Sequence, residues 1–222
     1  IGIIKTSRKE LILLSILINM LLSVAVAYRL KLLMSGQKIL ISLKDAFYLT
    51  FIGYFFNNFL PTAIGGDIAK AHYASKKTNN KAASYAAVLA DRVLGLISTL
   101  LIALVGVIFI GKSLNNKFIL WAVPFTFFIV IATTAILLRK NSMGEAAVLE
   151  KKGLFNKIKG KLLKLYTAVN LYRNSPLLMV KGIALSLFLQ AGAIFSVYFF
   201  ILSIGGEIPV FRLLLIIPLV WA

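Results

Sequence analysis

One stretch decides how this sequence is interpreted: residues 54–67 read YFFNNFLPTAIGGD. All but Asp67 belong to a run, 46–66, that contains no charged residue and begins like an ordinary apolar membrane span. Two adjacent amides, a proline and a glycine pair then interrupt the run. Broken backbone at membrane depth is tolerated only where it is buried in protein or lines a wet cavity. We therefore predict that 46–66 forms a re-entrant hairpin and that any chemistry lies near the break.

The composition excludes a soluble globular protein. Of 222 residues, 60% are hydrophobic and 14% charged, whereas soluble domains are about 45–50% apolar and about 25% charged. The charges are 25 Lys and Arg against 7 Asp and Glu, which gives a net charge of +18. Because the cations lie between long apolar runs, they favour anionic membrane phospholipids as partners and argue against nucleic acid. The sequence has no cysteine and one histidine, His72, so it excludes disulfides and Cys/His metal sites.

The other uncharged runs predict an all-α, polytopic helical membrane protein. A helix needs about 20 apolar residues to cross about 30 Å of hydrocarbon. Extended over neighbouring residues, some of them charged, these runs give the predicted spans 11–28, 83–111, 118–138, 177–204 and 211–222, the last of them cut off by the end of the sequence. A basic amphipathic helix predicted over 154–173 suits the membrane interface. We expect 1–222 to be one incomplete transmembrane domain within a longer, multi-pass protein of the cytoplasmic membrane.

The charges that flank 46–66 support the hairpin. Lys and Arg accumulate on the cytoplasmic side of short loops, and both flanks of this run are basic. A run that enters and leaves on the same side is re-entrant. The alternative is a full span preceded by an external loop, and cysteine labelling at Gln37 would separate the two. The flanking cations are Arg29, Lys31, Lys38 and Lys44 before the run, and Lys70, Lys76, Lys77 and Lys81 after it.

Two motifs surround the break. Residues 57–70 have the pattern N-x-x-L-P-x-x-x-G-G-D-x-x-K, and residues 91–95 read D-R-x-x-G. They resemble the flippase-like membrane domain of lysylphosphatidylglycerol synthases and of related stand-alone bacterial and archaeal membrane proteins. The rhythm of apolar runs extends the resemblance over the whole chain. The sequence departs from the family pattern at Lys70, where an arginine is expected, and the family's later Pro/Gly-rich element would fall beyond Ala222.

The resemblance implies a protein that binds or translocates a phospholipid or another lipid with an anionic head, including lipid-linked substrates. It does not imply aminoacyl transfer, which belongs to a separate soluble domain of the bifunctional synthases. Two other classes stay open: a small-solute secondary transporter, in which broken hydrophobic segments also occur, and a membrane enzyme acting on a lipid-linked substrate. We expect no enzyme activity, catalytic residue, cofactor or metal, because the sequence contains no nucleotide-binding motif and no recognisable catalytic constellation.

The predicted site consists of the polar, glycine and proline residues of the two motifs: Asn57, Asn58, Pro61, Gly65, Gly66, Asp67, Lys70, Asp91, Arg92 and Gly95. Because charges near hydrocarbon are usually paired, we predict that Asp67 pairs with Arg92 and Lys70 with Asp91. Asp67 is also expected to cap a helix that begins at Ile68. In one interpretation Lys70 and Arg92 contact a lipid phosphate, while the asparagine amides and the N–H groups of the glycine pair bind the polar head. In the other, the same residues form a structural staple without a ligand.

Overall fold

The structure, a computed structural model, describes residues 7–59, 65–110, 117–138 and 169–221. Within these ranges the chain forms helices and no strand, so the predicted all-α fold class is confirmed. Pro61 and most of the interfacial helix predicted over 154–173 lie outside the described residues. The helices are α1 (Lys9–Gly36), α2 (Leu43–Phe59), α3 (Gly65–Thr78), α4 (Lys81–Ile110), α5 (Lys117–Leu138), α6 (Pro176–Ser203) and α7 (Val210–Trp221), with a 3-10 turn (Leu171–Asn174) before α6.

Within the part of the chain that the structure describes, three helices, α1, α4 and α6, are long and apolar enough to cross a membrane. They contain 28, 30 and 28 residues, which at 1.5 Å per residue corresponds to about 42–45 Å. The hydrocarbon core is about 30 Å thick, so each helix is longer than a perpendicular crossing requires. α1 continues through Arg29, beyond the uncharged run 11–28 that the sequence marks as its span.

The chain divides into two compact units, of which the first contains Ile1–Val26, Leu94–Ile131 and Ile183–Ala222. In this unit Ser15 of α1 donates a hydrogen bond to the backbone carbonyl of Ser196 in α6, at 3.0 Å. Gly106 of α4 lies so close to α7 that an added Cβ would be 2.9 Å from the backbone nitrogen of Leu215. Interhelical hydrogen bonds and close approach at small residues are typical contacts between membrane helices.

The second unit, Ala27–Val93 and Ala132–Gly182, contains a helical hairpin formed by α2 and α3. These helices have 17 and 14 residues, or about 26 and 21 Å, less than the thickness of the hydrocarbon core. Their backbones touch, because a Cβ on Gly66 would overlap the carbonyl of Gly53. Asp45 near the start of α2 pairs with Lys77 near the end of α3, so the beginning and the end of the hairpin lie next to each other. The two helices extend from Leu43 to Thr78, beyond the predicted 46–66, and their entry into a membrane as a re-entrant hairpin stays a prediction.

The start of α3 differs from the sequence-based expectation. The helix begins at Gly65 and not at Ile68, so Asp67 lies in its first turn and is not its cap. The side-chain oxygen of Asn57 instead accepts a hydrogen bond from the Gly66 N–H, at 2.9 Å. Glycine is a poor helix former, but here the missing side chains allow α3 to lie directly against α2. Contact with α2 therefore lets α3 start earlier in the sequence than local preference predicts.

A buried tyrosine fixes the C-terminal end of α1 within the second unit. The Tyr172 hydroxyl, in the 3-10 turn, donates a hydrogen bond to the carbonyl of Leu33 at 2.7 Å. Leu33 carries one of the last four carbonyls of α1, which have no donor inside their own helix. Burial raises the pKa of Tyr172, so its hydroxyl stays protonated and can donate. Gly36 makes room for the ring, since a Cβ there would lie 2.8 Å from it.

Candidate functional site

Among the described residues of the second unit, five charged side chains form a connected group, the charge cluster: Arg29 of α1, Asp67 and Lys70 of α3, and Asp91 and Arg92 of α4. The Asp91 carboxylate lies 2.7 Å from Arg29 Nε and 3.4 Å from Lys70 Nζ. The Asp67 carboxylate lies 4.0 Å from Lys70 Nζ and 3.6 Å from Arg92 Nη1. Cations and carboxylates therefore alternate along one chain of contacts from Arg29 to Arg92.

The cluster is closed at one end and open at the other. Arg29, Asp91 and Lys70 form the inner end, with side chains that are 11%, 7% and 7% exposed. At the outer end, the Asp67 side chain is 21% exposed and that of Arg92 is 40% exposed. The contact between Arg29 and Asp91, at 2.7 Å, is a direct hydrogen bond, whereas the two contacts of Asp67, at 4.0 Å with Lys70 and 3.6 Å with Arg92, are looser ion pairs. The inner end is thus tightly held, and the outer end is accessible.

The two ion pairs predicted from the sequence, Asp67 with Arg92 and Lys70 with Asp91, are both present. The sequence reasoning missed Arg29, which it placed among the cations of a loop that flanks the hairpin. A signal for Arg29 exists in the apolar pattern around it. Residues 27, 30, 33 and 34 are all buried and follow helical spacing, so the periodicity of α1 continues through the charge.

Gly53 and the register of α4 explain how the cluster is assembled. A Cβ on Gly53 would lie 3.0 Å from Lys70 Cε, so the stem of Lys70 lies along α2 where a side chain would otherwise be. This arrangement buries the methylene groups and leaves the ammonium to reach the carboxylates. Asp91 and Arg92 are successive in α4 and point about 100° apart. Asp91 therefore faces the inner end of the cluster, and Arg92 faces the outer end.

Two polar groups beside the cluster, the Gly66 N–H and the Asn58 side-chain amide, already have partners within the protein. Because Asn57 accepts the Gly66 N–H, this N–H is not offered to an anion, contrary to the ligand-binding interpretation of the glycine pair. The side-chain amide of Asn58 donates to the carbonyl of Tyr54 one turn earlier in α2, at 3.0 Å, and is not part of the cluster.

The remaining predicted residues have simpler positions. Gly65 is buried in the first turn of α3. Gly95 lies one turn after Asp91 in α4, and its carbonyl accepts a hydrogen bond from the Thr99 hydroxyl at 2.9 Å. Within the described ranges, no three His, Cys, Asp or Glu side chains are grouped as a metal site would require.

Comparison with protein families agrees with this fold and these motifs. The family model described as the lysylphosphatidylglycerol synthase TM region matches residues 2–222, which is nearly the whole chain. The chain belongs to this family. The resemblance seen in the two motifs is therefore confirmed, and the chain is an integral membrane protein. No curated protein and no solved structure gives a significant match.

In this member of the lysylphosphatidylglycerol synthase TM region family, the charge cluster contains three cations and two carboxylates and so carries a net charge of +1. Lys70 stands where the family motif leads us to expect arginine, and its single ammonium contacts both carboxylates. Arg92 presents a planar guanidinium with five N–H donors, a geometry suited to phosphate or carboxylate. Among the described residues, Asp67 at 3.6 Å is the ion-pair partner of Arg92, and this loose contact leaves guanidinium donors in a geometry suited to an anion.

Proposed function

We propose that the protein binds a lipid with an anionic head and moves it across the cytoplasmic membrane, with Arg92 as the contact for the head-group phosphate. The observation that carries this proposal is the open end of the charge cluster, where Arg92 is 40% exposed and lies 3.6 Å from its carboxylate partner. Charge-assisted hydrogen bonds from a guanidinium to phosphate are among the stronger polar contacts in proteins.

The net charge of the cluster supports an anionic ligand. A charge within reach of hydrocarbon is costly unless a partner neutralises it. The cluster as a whole carries +1, and a single phosphodiester carries the one negative charge that would neutralise it. A ligand head that pairs with Arg92 therefore reduces the electrostatic cost of holding the cluster in the membrane.

The end of the hairpin at which α2 begins and α3 ends also fits contact with anionic lipid. Lys44 Nζ lies 5.9 Å from the centre of the Tyr48 ring, and Lys76 Nζ lies 5.9 Å from that of Tyr73. Basic and aromatic side chains together are typical of the interface of a membrane with anionic phospholipids. In our proposal the head group follows the polar hairpin while the acyl chains stay in lipid. Such movement breaks no covalent bond, so it needs no enzyme activity.

The test is reconstitution of the purified chain into vesicles that contain a trace of fluorescently labelled phosphatidylglycerol. Addition of a membrane-impermeant quencher then measures how fast label from the inner leaflet becomes accessible. We expect the protein to accelerate this exchange, R92A to abolish most of the acceleration, and R92K to restore part of it. R173A is the matched control, since Arg173 is an exposed arginine outside the charge cluster.

Three results would contradict the proposal. One is lipid exchange no faster than in protein-free vesicles. Another is equal activity of R92A and R173A. The third is uptake of a small solute, or formation of a product, in place of lipid exchange, which would favour a transporter or an enzyme.

A further inference from the structure

The two carboxylates of the charge cluster are held very differently. Asp91 accepts hydrogen bonds from Arg29 at 2.7 Å and Lys70 at 3.4 Å, and it is buried. Asp67 faces cations on its own helix and on α4, Lys70 and Arg92, at 4.0 and 3.6 Å, and among the described residues no donor makes a hydrogen bond to it. Asp67 is also the more exposed of the two. Only Asp67 can therefore leave its partner at low cost.

Release of Asp67 from Arg92 would leave the surrounding structure in place. The hairpin remains joined to α4 through Lys70 and Asp91. It remains closed on itself through the hydrogen bond from the Gly66 N–H to Asn57. Asp67 also keeps Lys70 as a neighbouring cation, one turn away on the same helix. The contact between Asp67 and Arg92 is thus not required to hold the helices together.

We propose that Asp67 is an internal substitute for the phosphate of the ligand: it occupies Arg92 when no lipid is bound, and the head group of an anionic lipid displaces it. This inference rests on the function proposed above and identifies the residue that sets lipid affinity at the same site. Asp67 and the phosphate compete for one guanidinium. Asp67 therefore weakens lipid binding, and it allows a bound lipid to leave again.

The competition predicts that removal of the Asp67 charge strengthens lipid binding, a change that a purely structural role would not produce. Replacement of Asp67 by asparagine keeps the size of the side chain but removes the competing charge, so the net charge of the cluster rises from +1 to +2. We expect D67N to bind phosphatidylglycerol about fivefold more tightly, as estimated for the release of one partly exposed ion pair. A structural staple would instead weaken binding or leave it unchanged when lost.

The measurement is native mass spectrometry of the purified chain in detergent, titrated with phosphatidylglycerol. D45N is the matched control, because Asp45 is a carboxylate in an ion pair with Lys77, outside the cluster. The double variant D67N/R92A shows whether a gain acts through Arg92, in which case it binds no more tightly than R92A. Inorganic phosphate serves as a competitor, and we expect it not to displace the lipid at equal concentration.

Tighter lipid binding by D67N but not by D45N, with the gain lost in D67N/R92A, supports the proposal. Unchanged or weaker binding by D67N overturns it, as does displacement of the lipid by free phosphate. If D67N does not purify as a folded protein, D67S carries the same test. Failure of both to fold would show that Asp67 is structural and would also overturn the proposal. Lipid exchange by the wild-type chain, measured separately, shows whether the function proposed above fails independently.

Discussion

Removal of Arg29 tests whether the inner end of the charge cluster holds the second unit together. The Arg29 Nε donates to Asp91 at 2.7 Å, and both side chains are almost fully buried. In R29A the Asp91 carboxylate stays buried, and Lys70, at 3.4 Å, is the cation that remains beside it among the described residues. Breaking a buried ion pair by removing one partner costs about 3–5 kcal/mol. Because Lys70 still compensates part of the charge, we expect a loss of about 2–3 kcal/mol in the free energy of unfolding.

The assay is denaturation of the purified protein in detergent, followed by circular dichroism, for R29A, D91N and the double variant. If the two residues act as a pair, the double variant loses less stability than the sum of the single losses. K77A is the control, because Lys77 forms an exposed ion pair with Asp45 and should matter much less. A loss in R29A no larger than that in K77A, or strictly additive single losses, would refute the reasoning.

Two further substitutions test the contacts around the cluster. In G66A the new methyl group would overlap the carbonyl of Gly53, which cannot move away by a rotamer change; we expect about 1–3 kcal/mol of destabilisation and a lower melting temperature in detergent. Unchanged melting of G66A would mean that α2 and α3 are not in backbone contact. In Y172F the buried carbonyl of Leu33 loses its donor, and we expect a loss of about 1–2 kcal/mol in the same assay, whereas unaltered stability would show that this hydrogen bond contributes nothing.

Long uncharged runs and the rule that intramembrane charges need partners made much of this structure predictable. The runs are sufficient for an all-α fold, because bilayer thickness imposes helix length on an apolar sequence. The same rule yields both ion pairs, since Asp91 and Arg92 cannot pair with each other on one helix and each requires a charge from elsewhere. These inferences depend on general constraints and not on the detailed packing of side chains.

Arg29 and the start of α3 were not predictable in the same way, because tertiary contact decides both. A rule that ends each apolar run at a charge places Arg29 in a loop. In the structure α1 continues to Gly36, and the Arg29 guanidinium is buried against the Asp91 carboxylate. Local preference ends a helix near a glycine pair, yet α3 includes both glycines because α2 lies against them. Each error concerns a residue whose conformation is set by another helix.

Gly53 and Gly66 let α2 and α3 pack closely, and this packing positions Lys70 for the charge cluster. Gly66 permits the contact with α2, and Gly53 leaves room for the stem of Lys70 across that contact. With its stem in this position, the Lys70 ammonium lies 3.4 Å from the Asp91 carboxylate on α4. An alanine at position 53 would place its Cβ 3.0 Å from Lys70 Cε, so the stem of Lys70 would have to shift by a few tenths of an ångström. The close approach of two short helices therefore determines how the buried charges pair, and this pairing leaves Arg92 at the accessible end.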